Sequence, residues 1–465
     1  MHAIRQKCRP KHQVLILKCY PKTTKGAVDV KPNSSELSYL LFYATTRRSK
    51  VQKVGEFLEK KTASDVWRAR IGNVQVTLQI LAALIKKAPR DLPLYAPYVL
   101  KIFNIILRAQ DVTMVESSIP TFQVFCENHD MASLSADQEY LHQYEEIVRI
   151  YASFASTRTQ TSSNPQSAPV AIRWRGLGLQ AVKSVASSEA LSTVAGRQLD
   201  VIVPILLENI WTDNEDFIDI LQQRAATEDH IGTDKSLLKR RASNATARTA
   251  DTDGENGTAL PGTTADADKL AEENIGVLAT QCLKQIFVVN NQTQIHGTTT
   301  TVLNFIAERV SQKESVIEKG PNDNCKGWAP RIFEIIARWT PVQDRYVILV
   351  TAMDSLVRAD QVEATLMQQL VLATMVDSLL KSDINLIGLS VMDVLLGLIQ
   401  HILIVLQLGN VGGPHLQPDN GADEKVDASA LHASITSEPA LVPTGTRKDL
   451  LARLQNCLGD LATHV

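Results

Sequence analysis

With 465 residues, 44% of them hydrophobic and 21% charged, the chain has the length and apolar content to bury a large core. That core would sit in two or three compact domains or in one elongated repeat array. The formal net charge of −2 hides a strong asymmetry: residues 1–90 hold 19 Lys and Arg against five acids, a net of +14, and the remainder carries −16. The six cysteines are scattered without zinc spacing, which argues against a metal site or a disulfide framework and for a reducing, intracellular location.

In chain order, the opening charges Arg5, Lys7, Arg9 and Lys11 are followed only by the short apolar run Val14–Leu17, too brief for a secretory h-region. Ser49–Lys61 reads as a helix that buries Val51, Val54, Phe57 and Leu58 and leaves Lys50, Lys53, Lys60 and Lys61 on its outer faces. Ile71–Ala88 repeats the three-and-four spacing with Ile71, Val74, Leu78, Leu81 and Ile85, and Ala136–Ala155 does so with Tyr140, Tyr144, Ile147, Tyr151 and Phe154. The same period predicts helices over Leu199–Trp211, Val302–Val310, Ile332–Trp339, Tyr346–Val357 and Val362–Leu380. Ile384–Leu408 is apolar enough and long enough to suggest a membrane span. It also contains Asn385, Asp393, Gln400 and His401, and a charge at the bilayer centre costs about 2.5–3.5 kcal/mol, so it is expected to be a core helix buried on most sides. A last helix is expected over Lys448–Leu461, and no run alternates as a strand would.

Many two-sided apolar helices joined by short Pro, Gly, Asn or Asp breaks predict an all-α, armadillo/HEAT-like helical-repeat solenoid with disordered insertions. The expected organisation is basic N-terminal repeats over 1–154, a surface loop over 155–169 and a further repeat over 170–224. A disordered insertion over 225–267, repeats over 268–408, a disordered linker over 409–446 and a C-terminal helix over 447–465 complete it.

No catalytic motif stands out. Gly388-Leu389-Ser390-Val391 is followed by Met392 and so lacks the last glycine of a nucleophile elbow, and there is no Walker loop, G-x-G-x-x-G or H-E-x-x-H. Gly176-Leu177-Gly178 lies inside a helical pattern and reads as a place of close helix packing. A non-enzymatic protein without metal or cofactor is the expectation.

The basic segment is the positive signal. Arg5, Lys7, Arg9, Lys11, Lys18, Lys22 and Lys25 form one cluster, and Arg47, Arg48, Lys50, Lys53, Lys60 and Lys61 a second, with few acids between them. An ordinary solvated surface mixes signs, so these residues are candidates for a binding face. Each Lys or Arg held near an anionic leaflet contributes about 1 kcal/mol, which is lost beyond a Debye length of about 8 Å. RNA or an acidic protein segment would satisfy the same charges, although no groove-reading or base-stacking module is visible and nucleic acid is not expected. Cys8, inside the first cluster, is a candidate for S-acylation as a second anchoring signal. Ser243 follows Arg240-Arg241-Ala242 in the pattern of a basophilic kinase site.

Several strings carry a resemblance. Arg9-Pro10-Lys11-His12, Cys19-Tyr20-Pro21, the run from Lys31 to Leu41, Arg47-Arg48-Ser49-Lys50-Val51, Arg70-Ile71-Gly72-Asn73-Val74 and Arg173-Trp174-Arg175-Gly176-Leu177 together resemble the fungal "eighty-five requiring" proteins, known in animals as rolling blackout. The match is strongest over 9–130 and 170–212. The resemblance implies a helical-repeat scaffold, peripheral on the cytosolic face of the plasma membrane, that binds acidic phospholipids through a basic N-terminal patch. It further implies recruitment of phosphatidylinositol 4-kinase III alpha through a tetratricopeptide-repeat adaptor, in support of phosphatidylinositol 4-phosphate synthesis. In this chain the acylated-cysteine cluster of the animal members is reduced to Cys8.

Overall fold

The computed structural model describes residues 9–22, 30–129, 136–157, 168–188, 191, 198–212, 215–231, 261–319, 325–359, 363–407 and 445–464. It divides into two compact units, residues 1–302 and 303–465.

The first unit opens with α1 (Lys11–Cys19), α2 (Ser34–Thr46), α3 (Arg48–Trp67) and α4 (Ile71–Lys87). A 3-10 turn over Pro89–Leu94 leads into α5 (Ala96–Arg108), α6 (Val112–Asn128) and α7 (Gln138–Ala155). α8 (Ala168–Ala186), α9 (Leu199–Ile210), α10 (Glu215–Ile231), α11 (Pro261–Phe287) and α12 (Gln292–Ser311) follow, the last with its residues from 303 on counted in the second unit. Through α9 the rule of assembly is simple: each helix packs on the helix two places further along, so odd and even helices form two layers. This is how stacked helix pairs bury a continuous core, because a single pair cannot cover its own apolar face. Phe103, Phe122, Phe125, Tyr144 and Tyr151 fill the space between layers, with the Phe103 and Phe122 rings edge to face at 5.5 Å.

Local chemistry sets the helix ends. The Asp111 side chain accepts from the Met114 amide at 2.9 Å, and Asp137 accepts from the amides of Glu139 and Tyr140, so each satisfies donors that the first turn leaves free. Gly178 shows why α8 contains glycine: a Cβ there would lie 2.5 Å from the Ala155 nitrogen and 2.8 Å from the Tyr151 oxygen. The close approach of α7 and α8 expected of this segment is therefore present. Arg175, on the same helix, is buried, donates to Asn209 Oδ1 at 2.8 and 3.0 Å, and pairs with Glu272 of α11 at 2.8 Å.

The second unit contains a two-residue antiparallel ladder, β1 (Glu318–Lys319) against β2 (Cys325–Lys326), with Glu318 opposite Lys326. No strand is expected there, because two residues cannot display a period of two. Gly327, at φ +136°, closes the ladder where a side chain would meet Ile317 and Val316. Helices α13 (Trp328–Trp339), α14 (Arg345–Val357), α15 (Leu366–Lys381), α16 (Val391–Gln407) and α17 (Gly445–His464) follow and again pack with a two-place offset. The fold is the expected all-α helical-repeat architecture, with this ladder as its one departure among the described residues.

Expectations at several boundaries need correcting. Ile384–Leu408 is not one helix buried on most sides: α16 starts only at Val391 and is buried along Val394, Leu398, His401 and Val405. Met392, Leu396, Ile399, Leu403 and Leu406 are exposed on its other face. Gly388, at φ +91° against the Tyr346 ring, interrupts the run, and the polar His401 is accommodated by a 3.2 Å contact with Gln369 Oε1. No helix among the described residues is long and apolar enough to cross a membrane. Both ends of the expected insertion 225–267 are helical, because Ala225 is buried on α10 and Pro261 starts α11. Similarly, α8 begins at Ala168 and α17 at Gly445, inside the loop and linker expected there; the remainders of these segments lie outside the described residues.

Candidate polyanion-docking edge

The first four helices concentrate cations at one end. α1 and α2 run antiparallel: Asn33, just before α2, donates to the Lys18 carbonyl, whereas Lys11 at the start of α1 sits 5.8 Å from the Tyr43 ring near the end of α2. Arg47, the single residue between α2 and α3, lies 5.9 Å from the same ring, so one aromatic ring collects two cations from different elements. His12 is buried against Phe57 of α3, and its imidazole is held below the usual histidine value by burial first, then by the charges of Lys53 and Lys50, with Glu56 opposing. Lys53 and Lys50 stand four and seven residues before Phe57 on α3, so both lie along the side of that helix that meets the start of α1. Lys11, Arg47 and Lys53 are exposed and Lys50 is partly so. Among the described residues, no carboxylate forms an ion pair with any of the four.

The remaining predicted residues fall into different groups. Arg9 is exposed immediately before α1 and belongs to this end. Arg48 is exposed but paired with Asp91, a contact that ties the turn after α4 to the start of α3. Lys60 is exposed and paired with Glu56 at 2.6 Å, an i,i+4 contact in full reach of solvent. Lys61 departs from expectation. Three places from Leu58 and seven from Val54, it flanks the buried stripe, contacts Asp65 at 2.8 Å and lies 4.0 Å from the Tyr20 ring. It is a structural cation, not part of an outer face. Lys18 and Lys22 are exposed at the other end of α1, with Lys18 3.8 Å from Glu36. Arg5, Lys7, Cys8, Lys25 and Ser243 lie outside the described residues. Cys19 is fully buried, and burial followed by the charge of Glu36 pushes its thiol up to about 12, which makes it a poor nucleophile.

Part of the edge lies outside the two predicted clusters. Lys86, Lys87 and Arg90 are exposed at the end of α4, which the Arg48–Asp91 pair brings to the same end as Arg47. Their signal was the local charge count; their position follows only from the antiparallel packing of α3 and α4. Lys101 joins them one turn into α5, 5.8 Å from the Tyr98 ring, whose hydroxyl meets Gln52 at 3.4 Å.

The crowding makes a direct prediction. Replacing Lys50 and Lys53 by Gln is expected to raise the His12 pKa measured by NMR, while burial still keeps it below the free value of 6.5. An unchanged titration would show that the lysines do not face His12. The sign for stability follows: with its folded-state pKa depressed, His12 costs stability as pH falls below 6.5, and the double variant reduces that loss.

Stacked antiparallel helices with an electropositive edge define a helical-repeat protein of the armadillo/HEAT class, built to present surfaces. The model of the EFR3 protein family matches residues 11–256 and 317–413, and the chain belongs to that family. It is 58% identical to Protein EFR3 of Pyricularia oryzae and 54% identical to Protein efr-3 of Neurospora crassa, in each case over its full length. It covers 39% and 40% of those two proteins, so it spans about two fifths of the curated relatives' length. A crystal structure of Efr3, 20% identical, superposes with a TM-score of 0.56 over 98% of this chain and 76% of that one. That likeness supports the fold.

Proposed function

We propose that the chain is a non-enzymatic peripheral scaffold that docks on the acidic phospholipids of the inner plasma-membrane leaflet through the edge formed by Arg9, Lys11, Arg47, Lys50 and Lys53. In this reading its helical repeats take part in recruiting phosphatidylinositol 4-kinase III alpha through a tetratricopeptide-repeat adaptor and so support phosphatidylinositol 4-phosphate synthesis. Membership of the EFR3 family supports the scaffold role. The observation that carries the lipid reading is the meeting of Lys11 and Arg47 on Tyr43, beside Lys50 and Lys53, without ion-pairing carboxylates among the described residues. Four such cations near an anionic surface supply about 4 kcal/mol, enough for reversible docking without a span.

Flotation with liposomes tests it. Bound fraction is expected to rise with phosphatidylserine content and to fall between 0.1 and about 0.5 M salt as the Debye length contracts. Binding to neutral phosphatidylcholine alone, or displacement by RNA at equal phosphate concentration, would contradict the reading and favour an adaptor for RNA or an acidic protein segment.

A further inference from the structure

The docking edge also carries side chains that electrostatics does not explain. On α2 the buried face is formed by Leu40 and Ala44, and the opposite side presents Ser35, Ser38, Tyr39, Phe42 and Thr46 to solvent. Tyr39 is 66% exposed and Phe42 70% exposed. They stand at i and i+3, and Phe42 directly precedes the Tyr43 that gathers Lys11 and Arg47. The 3-10 turn that supplies Asp91 to Arg48 also presents Leu94, 48% exposed. Apolar side chains thus project from two elements next to these cations, Phe42 one residue from Tyr43 and Leu94 three residues from the Asp91 that Arg48 holds.

A single exposed apolar residue is ordinary; an aromatic pair at helical spacing beside clustered cations is a specific combination. RNA offers such cations charge and could stack a base on Phe42 or Tyr39, but it has no apolar phase for the aliphatic Leu94. A bilayer offers both, with phosphates for Lys11 and Arg47 at the depth where tyrosine ring and hydroxyl find mixed surroundings, and acyl chains below for phenylalanine and leucine. We infer that Phe42 and Leu94, with Tyr39 at the interface, insert into the acidic leaflet while the surrounding cations hold the headgroups. The edge is then a two-part anchor, part of whose affinity survives salt. This rests on the lipid reading above and adds to it a shallow apolar insertion.

Trp67 provides an internal control. It is 85% exposed, but it ends α3, about 30 Å from the Arg48 end of that 20-residue helix.

The experiment combines partition and depth on the full chain, with vesicles of phosphatidylcholine and phosphatidylserine. The Phe42→Ala/Leu94→Ala double variant is expected to bind about ten-fold more weakly with an unchanged salt dependence, because apolar contact and not charge is removed. A Trp67→Ala variant is expected to bind as the parent does. Phe42→Trp, in a Trp67→Ala background, is expected to gain emission that vesicles brominated on the acyl chains quench. Parent-like binding by the double alanine variant, or binding of Phe42→Trp without quenching, overturns insertion and leaves the electrostatic docking standing. Failure of the parent itself to float with acidic vesicles overturns both readings. A loss in Trp67→Ala equal to that of the double variant would also overturn insertion at this edge.

Discussion

Replacing Asp377 by alanine is expected to lower the unfolding free energy of the second unit by about 3–5 kcal/mol, read as a shift in the urea midpoint. Asp377 lies on α15, 4% exposed, and accepts from Arg453 of α17 at 2.8 Å and from Lys381 at 2.8 Å. Arg453 is itself 6% exposed. Truncation takes the Asp377 carboxylate away from a buried guanidinium in the α15–α17 interface, and the desolvation penalty of that charge dominates the loss. Removing Arg453 as well is a different matter: Asp377→Leu with Arg453→Met keeps volume and leaves only the partly exposed Lys381, which retains Asp460 at 3.6 Å, so most of the stability returns. A loss below about 1 kcal/mol in the single variant would show that the pair does not hold α17 in place.

Asp460 modulates the same contact. Burial first, and then its hydrogen bond to Asp377 and the like charge there, raise its pKa, with Lys381 opposing. A carboxyl whose folded-state pKa is raised binds more protons folded than unfolded, so its contribution falls as pH rises through that value. Asp460→Asn is therefore expected to raise the urea midpoint at neutral pH relative to the parent and to flatten the pH dependence above pH 4.

Much of this architecture was legible in the sequence. The periods in Ile71–Ala88, Ala136–Ala155 and Tyr346–Val357 fix helices that occur within a few residues of those limits, because the apolar stripe and the core it meets share one geometry. Gly178 was legible for the same reason: a glycine inside a helical period asks for a close neighbour, and Ala155 is that neighbour. Ile384–Leu408 departs from expectation because apolar content reports what a helix can bury, not how many neighbours it has; α16 has partners on one side and an exposed stripe on the other. The candidate edge was only half legible. Charge density along residues 1–90 was evident, yet which cations meet depends on helix direction. Antiparallel α1 and α2 bring Lys11 to Arg47 and separate both from Lys18, while burial removes Lys61 and adds nothing visible in a charge count. Lys86, Lys87 and Arg90 reach the edge from the far end of α4 by the same rule.

Net charge and charge placement make different predictions, and liposome flotation separates them. Arg47→Glu/Lys50→Glu/Lys53→Glu converts three clustered cations, and at about 1 kcal/mol for each attraction lost it is expected to weaken binding to phosphatidylserine vesicles by more than 100-fold. A control with Lys18→Glu/Arg68→Glu/Arg70→Glu carries the same change in total charge, on residues exposed at the opposite end of α1 and α3. If the clustered edge faces the lipid, the control retains binding within a few-fold of the parent while the edge variant stays in solution. Equal losses in the two variants would mean that the phosphate surface responds to overall charge alone, and a docking edge would have no place in the account.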